Sequence, residues 1–110
     1  MRGCTSKNIA REILDNIENE RIILSKRDKN MDFIKKYSLL QADIEEIVYS
    51  LKENNFVEKI ENKDSKIKAN FLYIFNPVVS FNDIYGKVVK KLYIKICKIV
   101  EGIFVVSLHE

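Results

Sequence analysis

The sequence predicts an α+β fold: a mostly antiparallel sheet of about four to six strands, with N-terminal helices packed on one face. Three observations predict it. Apolar residues recur at helical spacing only in the first half of the chain. From Phe56 onward the spacing changes to two, the period of a strand. Helices therefore come first and strands later, the order of an α+β chain rather than of alternating βα units. The 110 residues suit one domain, 1–110, able to bury about two-thirds of its extended surface.

Residues 1–7 are expected to form a flexible tail. Over 8–20, Ile9, Ile13, Leu14 and Ile17 fall on one helical face with charges opposite, and Ser6 can cap the start. The β-branched run 21–24 (RIIL) predicts a short strand or extended link, and the polar run 25–30 a turn or a cap for the next element. Met31, Ile34 and Tyr37, three apart, predict a short second helix over 31–37, broken at 38–40. The third helix, 41–53, lines up Ile44, Ile47, Val48 and Leu51, and its early Asp43, Glu45 and Glu46 suit the N-terminal end of the dipole. Strands are expected at 56–61 and at 69–76 (ANFLYIFN), joined by a charged turn at 62–68, with Pro77 stopping or bending the second. Asn82, Asp83 and Gly86 mark 78–86 as an irregular loop. Residues 87–100 and 103–108 are the closing strands.

The closing strands are read as a hairpin with a three-residue loop, Val100-Glu101-Gly102, glycine taking the left-handed place. Ile99 then faces Ile103, and Tyr93 faces His109. Tyr93, Lys95 and Cys97 share a face with Val105, Ser107 and His109. Leu92, Ile94, Ile96, Phe104, Val106 and Leu108 form the core face. A two-residue loop would place Tyr93 and His109 on opposite faces.

Net charge is +3. Residues 1–54 hold ten basic and ten acidic side chains, so the excess lies in 55–110, with nine lysines and six acids. Lys87, Lys90, Lys91, Lys95 and Lys98 follow one another with no acid between. They are candidate phosphate-binding residues for a nucleic-acid backbone; lysines in strands also protect edges from aggregation. No run approaches the ~20 apolar residues of a membrane span. The start, MRGCTSKNIARE, has no apolar signal core, and Cys4 and Cys97 form no redox or metal motif. A cytoplasmic protein with two reduced thiols is expected.

The chain has no CxxC, no paired histidines, no P-loop and no GxSxG, so neither cofactor nor metal is expected. What remains is the Tyr93–Lys95–His109 face. It sets the only imidazole, the side chain whose charge changes nearest neutrality, opposite a phenol and beside an ammonium. Such a set suits RNA cleavage through the 2′-hydroxyl, which needs a base, an acid and charge neutralisation.

The order of elements, together with Leu92-Tyr-Ile-Lys-Ile96 and Val105-Val-Ser-Leu-His-Glu110, resembles the MqsR-like toxins of bacterial toxin–antitoxin systems, within the wider RelE-type ribonuclease fold. Glu53-Asn-Asn-Phe56 and the aromatic strand ending Phe75-Asn-Pro77 fit more loosely. The resemblance covers about 8–110. It implies a RelE-like sheet and a cytoplasmic, ribosome-independent mRNA endonuclease (an mRNA interferase) that inhibits translation and is neutralised by a cognate antitoxin protein. Carried over by position, Tyr93 matches the strand tyrosine, and His109 the place where members carry a C-terminal Lys or His. A further lysine falls near Glu58 or Lys59, with Lys59 favoured. The family's strand glutamine falls on Leu72, a departure, because Leu cannot hydrogen-bond RNA. The resemblance thus makes Tyr93, His109, Lys95 and Lys59 the candidate catalytic set. The departure motivates an alternative, a non-catalytic module on the same fold that binds RNA or a protein target.

Overall fold

The computed structural model describes residues 2–83 and 85–110 and is α+β, with three helices ahead of most of the strands. Helix α1 spans Arg2–Leu14. It begins ahead of the expected start at Asn8 and stops short of Glu20, because Asn16 takes a left-handed backbone conformation (φ 61°) that ends it and leads into a single 3-10 turn, Ile17–Asn19. Strand β1 (Ile22–Leu24) comes next. Helix α2 (Asp28–Lys36) starts within the expected turn, where Asp28 meets the positive end of the dipole and Lys35 and Lys36 the negative end. Ser38, at φ 52°, breaks the chain where a break is expected. Helix α3 (Gln41–Tyr49) opens with the Asp43 carboxylate accepting the Leu40 N–H at 2.7 Å. It ends before Glu53; a second 3-10 turn, Glu53–Asn55, leads into β2 (Phe56–Glu61).

The remaining strands are β3 (Phe71–Phe75), β4 (Val78–Asp83), β5 (Gly86–Lys91), β6 (Tyr93–Ile99) and β7 (Gly102–His109). The main sheet has the order β1-β7-β6-β3-β2; only the β1–β7 pairing is parallel. The stretch 78–86, expected to be an irregular loop, is instead a hairpin, β4–β5. Its Asn and Gly flank the turn, while Val79 and Phe81 alternate inward and Val78 is exposed. Phe81 anchors it, with ring centroids 4.9 Å from Tyr37 and 5.6 Å from Phe33 of α2. This hairpin prolongs the β3–β6 ladder. Phe75 faces Ile94, Leu92 donates to the Pro77 carbonyl at 2.9 Å, and Val78 faces Lys91. Proline has no N–H to return, so the ladder breaks there and one expected strand, 87–100, becomes two.

All three helices cover one face of the main sheet. Ile13, Phe33, Ile44 and Val48 pack there with Phe75, Ile94, Ile96, Val105 and Leu108. The opposite face holds a small cluster of Leu72, Cys97 and Val106, with Ile60 of β2 and Ile67 and Ala69 of the β2–β3 connection against it. β1 pairs with β7 only as far as Val105. Beyond it, the buried Asn30 of α2 continues the edge: its amide donates to the Val106 carbonyl at 3.1 Å and its oxygen accepts the Leu108 N–H at 2.8 Å.

Candidate functional site

Tyr93 faces His109 across β6 and β7, as expected, but by a different route. The hairpin loop is two residues, Val100-Glu101, because Ile99 pairs with Gly102. Gly102 takes φ +146°, and an added Cβ would stand 2.3 Å from the Arg21 carbonyl oxygen, so only glycine fits this turn beside β1. On its own that loop would place Leu108 opposite Tyr93. A β-bulge between Lys95 and Ile96 shifts the pairing by one residue: Ile96 faces Val105 and Lys95 faces Ser107, with Val106 the extra residue. Three face assignments change as a result. Val105 packs on the helix side, while Phe104 and Val106 join Cys97 on the other.

The Tyr93 and His109 rings stack, with centroids 5.5 Å apart and planes 28° apart. Lys95 lies on the same face, its Nζ 5.9 Å from the Tyr93 ring centroid. All three side chains are half-buried. His109 Nδ1 lies 3.0 Å from the Glu110 carbonyl oxygen. A carbonyl only accepts, so in the neutral ring this contact favours the tautomer with its proton on Nδ1 and leaves Nε2 as the acceptor.

The next residue ties this corner down. The Glu110 carboxylate accepts from the Tyr37 hydroxyl at 2.9 Å and from Lys36 Nζ at 3.1 Å, and lies 3.5 Å from Lys90 Nζ. The Lys36 hydrogen bond, helped by that of Tyr37, outweighs the cost of burial and holds its carboxyl below the usual carboxylate range; the same bond raises Lys36. No sequence pattern pairs Tyr37 with Glu110. Their pairing depends on a contact across most of the chain.

The other candidates divide by strand alternation. Lys87, Lys91 and Lys95 occupy alternate places on the same side of the β5–β6 ribbon as Tyr93. Among the described residues none of these three has a carboxylate within 4 Å. Lys90 and Lys98 point to the helix side, Lys90 to Glu110 and Lys98 to Glu20. Lys59 is also on the helix side, opposite Tyr73, and does not join Tyr93, Lys95 and His109. Its Nζ meets Glu12 Oε1 at 2.7 Å and sits 4.2 Å over the Phe71 ring; the Tyr73 hydroxyl donates to the same Glu12 oxygen at 2.8 Å. The Lys59 hydrogen bond lowers Glu12 and raises Lys59, while burial, helped by Glu12, pushes the Tyr73 phenol up. These groups fasten α1 to the sheet. Leu72 is buried in the small cluster. Burial pushes the Cys97 thiol up to about 11.

Among the described residues, no group of three or more His, Cys, Asp or Glu side chains gathers to hold a metal ion, and no helix is long and apolar enough to cross a membrane. Comparison with known proteins finds no matching family model, no matching curated protein and no matching solved structure.

Proposed function

We propose that this chain is a metal-independent endoribonuclease that cleaves messenger RNA and inhibits translation, as the toxin of a toxin–antitoxin pair restrained by an antitoxin protein. The observation that carries the cleavage chemistry is the stacked Tyr93–His109 pair beside Lys95, at the end of a stripe with Lys91 and Lys87. The toxin role rests on the likeness of 92–96 and 105–110 to the MqsR-like proteins. His109 Nε2 takes the proton of an RNA 2′-hydroxyl, the freed oxygen attacks the adjacent phosphorus, and the bond to the 5′-oxygen breaks. The products are a 2′,3′-cyclic phosphate and a 5′-hydroxyl, the latter taking a proton from the imidazolium or the phenol. Lys95 offsets the charge that builds on the phosphorane. Lys91 and Lys87 hold flanking phosphates.

A second reading, a module that binds RNA or a protein target without cleaving, is favoured by Leu72. It stands where the family's glutamine would, and it is sealed in a small core rather than offered to a ligand. Incubation of the purified protein with a long single-stranded RNA separates the two. Fragments with reproducible 2′,3′-cyclic ends, formed in the presence of a chelator, support the enzyme. Salt-sensitive binding with no fragments overturns it in favour of the module.

A further inference from the structure

Beside the Tyr93–Lys95–His109 face lies a groove of about 420 Å³ that the mechanism above does not use. Its floor is aliphatic: Ile60, Ile67, Leu72 and Val106. Its rim carries Lys95 and Lys63, with Arg27 across from them 3.7 Å from Asp64. Arg27, Lys63 and Lys95 outnumber the rim carboxylates Glu61 and Asp64. We propose that this groove is the base-binding subsite of the same centre, holding one nucleobase of a single-stranded RNA next to the phosphate that Lys95 meets. The proposal rests on the nuclease or RNA-binding reading and deepens it.

Three features of the groove favour such an occupant. Lys95 belongs to both places: it borders the groove and reaches toward the Tyr93 ring. A strand whose phosphate sits at Lys95 therefore has its neighbouring base at the groove mouth. The chemistry of the walls matches a base joined to a phosphate, with apolar surface for a flat ring and a cationic margin for the backbone. The groove is also preformed. Asn62 holds the β2–β3 connection closed by donating to the Ile67 and Ala69 carbonyls at 3.0 and 2.7 Å and accepting the Asp64 N–H at 2.9 Å, so binding costs little ordering of this loop. A mixed aliphatic and ionic loop such as 62–68 carries no motif, and only folding brings it against Lys95.

The test uses the full chain and two short single-stranded probes of equal length, both with 2′-fluoro sugars so that neither can be cleaved through a 2′-hydroxyl. One carries bases; the other is an abasic sugar–phosphate chain. The parent is expected to bind the base-bearing strand about tenfold more tightly than the abasic one, what removing roughly 50 Å² of ring surface from water is worth, and Ile67→Asp to bind both alike. Acylation footprinting of the unmodified protein needs no variant: the base-bearing strand should shield Lys63, and the abasic strand should not. Equal affinity for both strands, still weakened by Lys91→Gln, overturns the groove assignment while leaving the RNA reading in place. Binding of neither strand overturns both. Shielding of Lys63 by an acidic peptide but not by either strand assigns the groove to a protein partner and overturns the proposal.

Discussion

The two faces of the main sheet and of the β4–β5 hairpin that prolongs it treat their lysines in opposite ways. On the helix side every candidate lysine is matched: Lys59 with Glu12, Lys98 with Glu20, Lys90 with Glu110. On the other side Lys87, Lys91 and Lys95 stand without carboxylate partners among the described residues, in line with Tyr93 and across from His109. In the sequence these lysines form one basic stretch. Strand alternation sorts them, since residues four apart on a strand share a face and residues three apart do not. A lysine held by a carboxylate is committed to the fold, and one left to water retains its charge for a ligand.

The sharpest break of this comparison removes what creates the faces. Gly102→Ala forces a Cβ against the Arg21 carbonyl at a positive φ, and an unfolding free energy lower by about 2–4 kcal/mol is expected by denaturant titration. Asn30→Ala leaves the Val106 carbonyl and the Leu108 N–H without their partner. It should cost about 2–3 kcal/mol and loosen the end of β7 that carries His109, read as faster amide exchange at Leu108. Neutralising lysines face by face tests the sorting itself. Each of Lys87→Gln, Lys91→Gln and Lys95→Gln should lower the salt slope of RNA binding by about 0.7, whereas Lys59→Gln and Lys98→Gln should leave it unchanged. The smallest effect is expected at the α1 latch. Glu12→Gln should change stability by less than about 1 kcal/mol, because Glu12 is exposed to solvent, which weakens the pair. Acid should act the same way. Glu12 and Glu110 have folded pKa values below the ordinary 4.5, so the stability they add is full above that value. It is lost as pH falls through the folded values, and the melting temperature should drop there.

The fold class is legible because period and order are local properties: Ile44, Ile47 and Val48 announce a helix, and 56–61 a strand, before any tertiary contact exists. The hairpin 78–86 is not, because Asn82 and Gly86 signal a loop and the evidence for a strand is the distant packing of Phe81 on Tyr37 and Phe33. The Tyr93–His109 pairing is expected through a three-residue loop that does not form; the real loop is one residue shorter, and a bulge beside Val106 restores the pair. Bulges arise from packing on both faces at once, here Val105 toward the helices and Val106 toward Leu72, and leave no mark in a local pattern. Lys59 enters the candidate set by position alone, and its real partner, Glu12, lies on a helix far away in sequence.

The most direct test compares RNA cleavage rates of four proteins under one condition: the parent, His109→Ala, Tyr93→Phe and Lys59→Gln. A catalytic face built from Tyr93 and His109 predicts losses of about a hundredfold or more for the first two variants, the usual worth of one acid–base group, and a parental rate for Lys59→Gln. Parental rates for His109→Ala and Tyr93→Phe, or a loss confined to Lys59→Gln, would place the chemistry on the other side of the sheet and contradict the account.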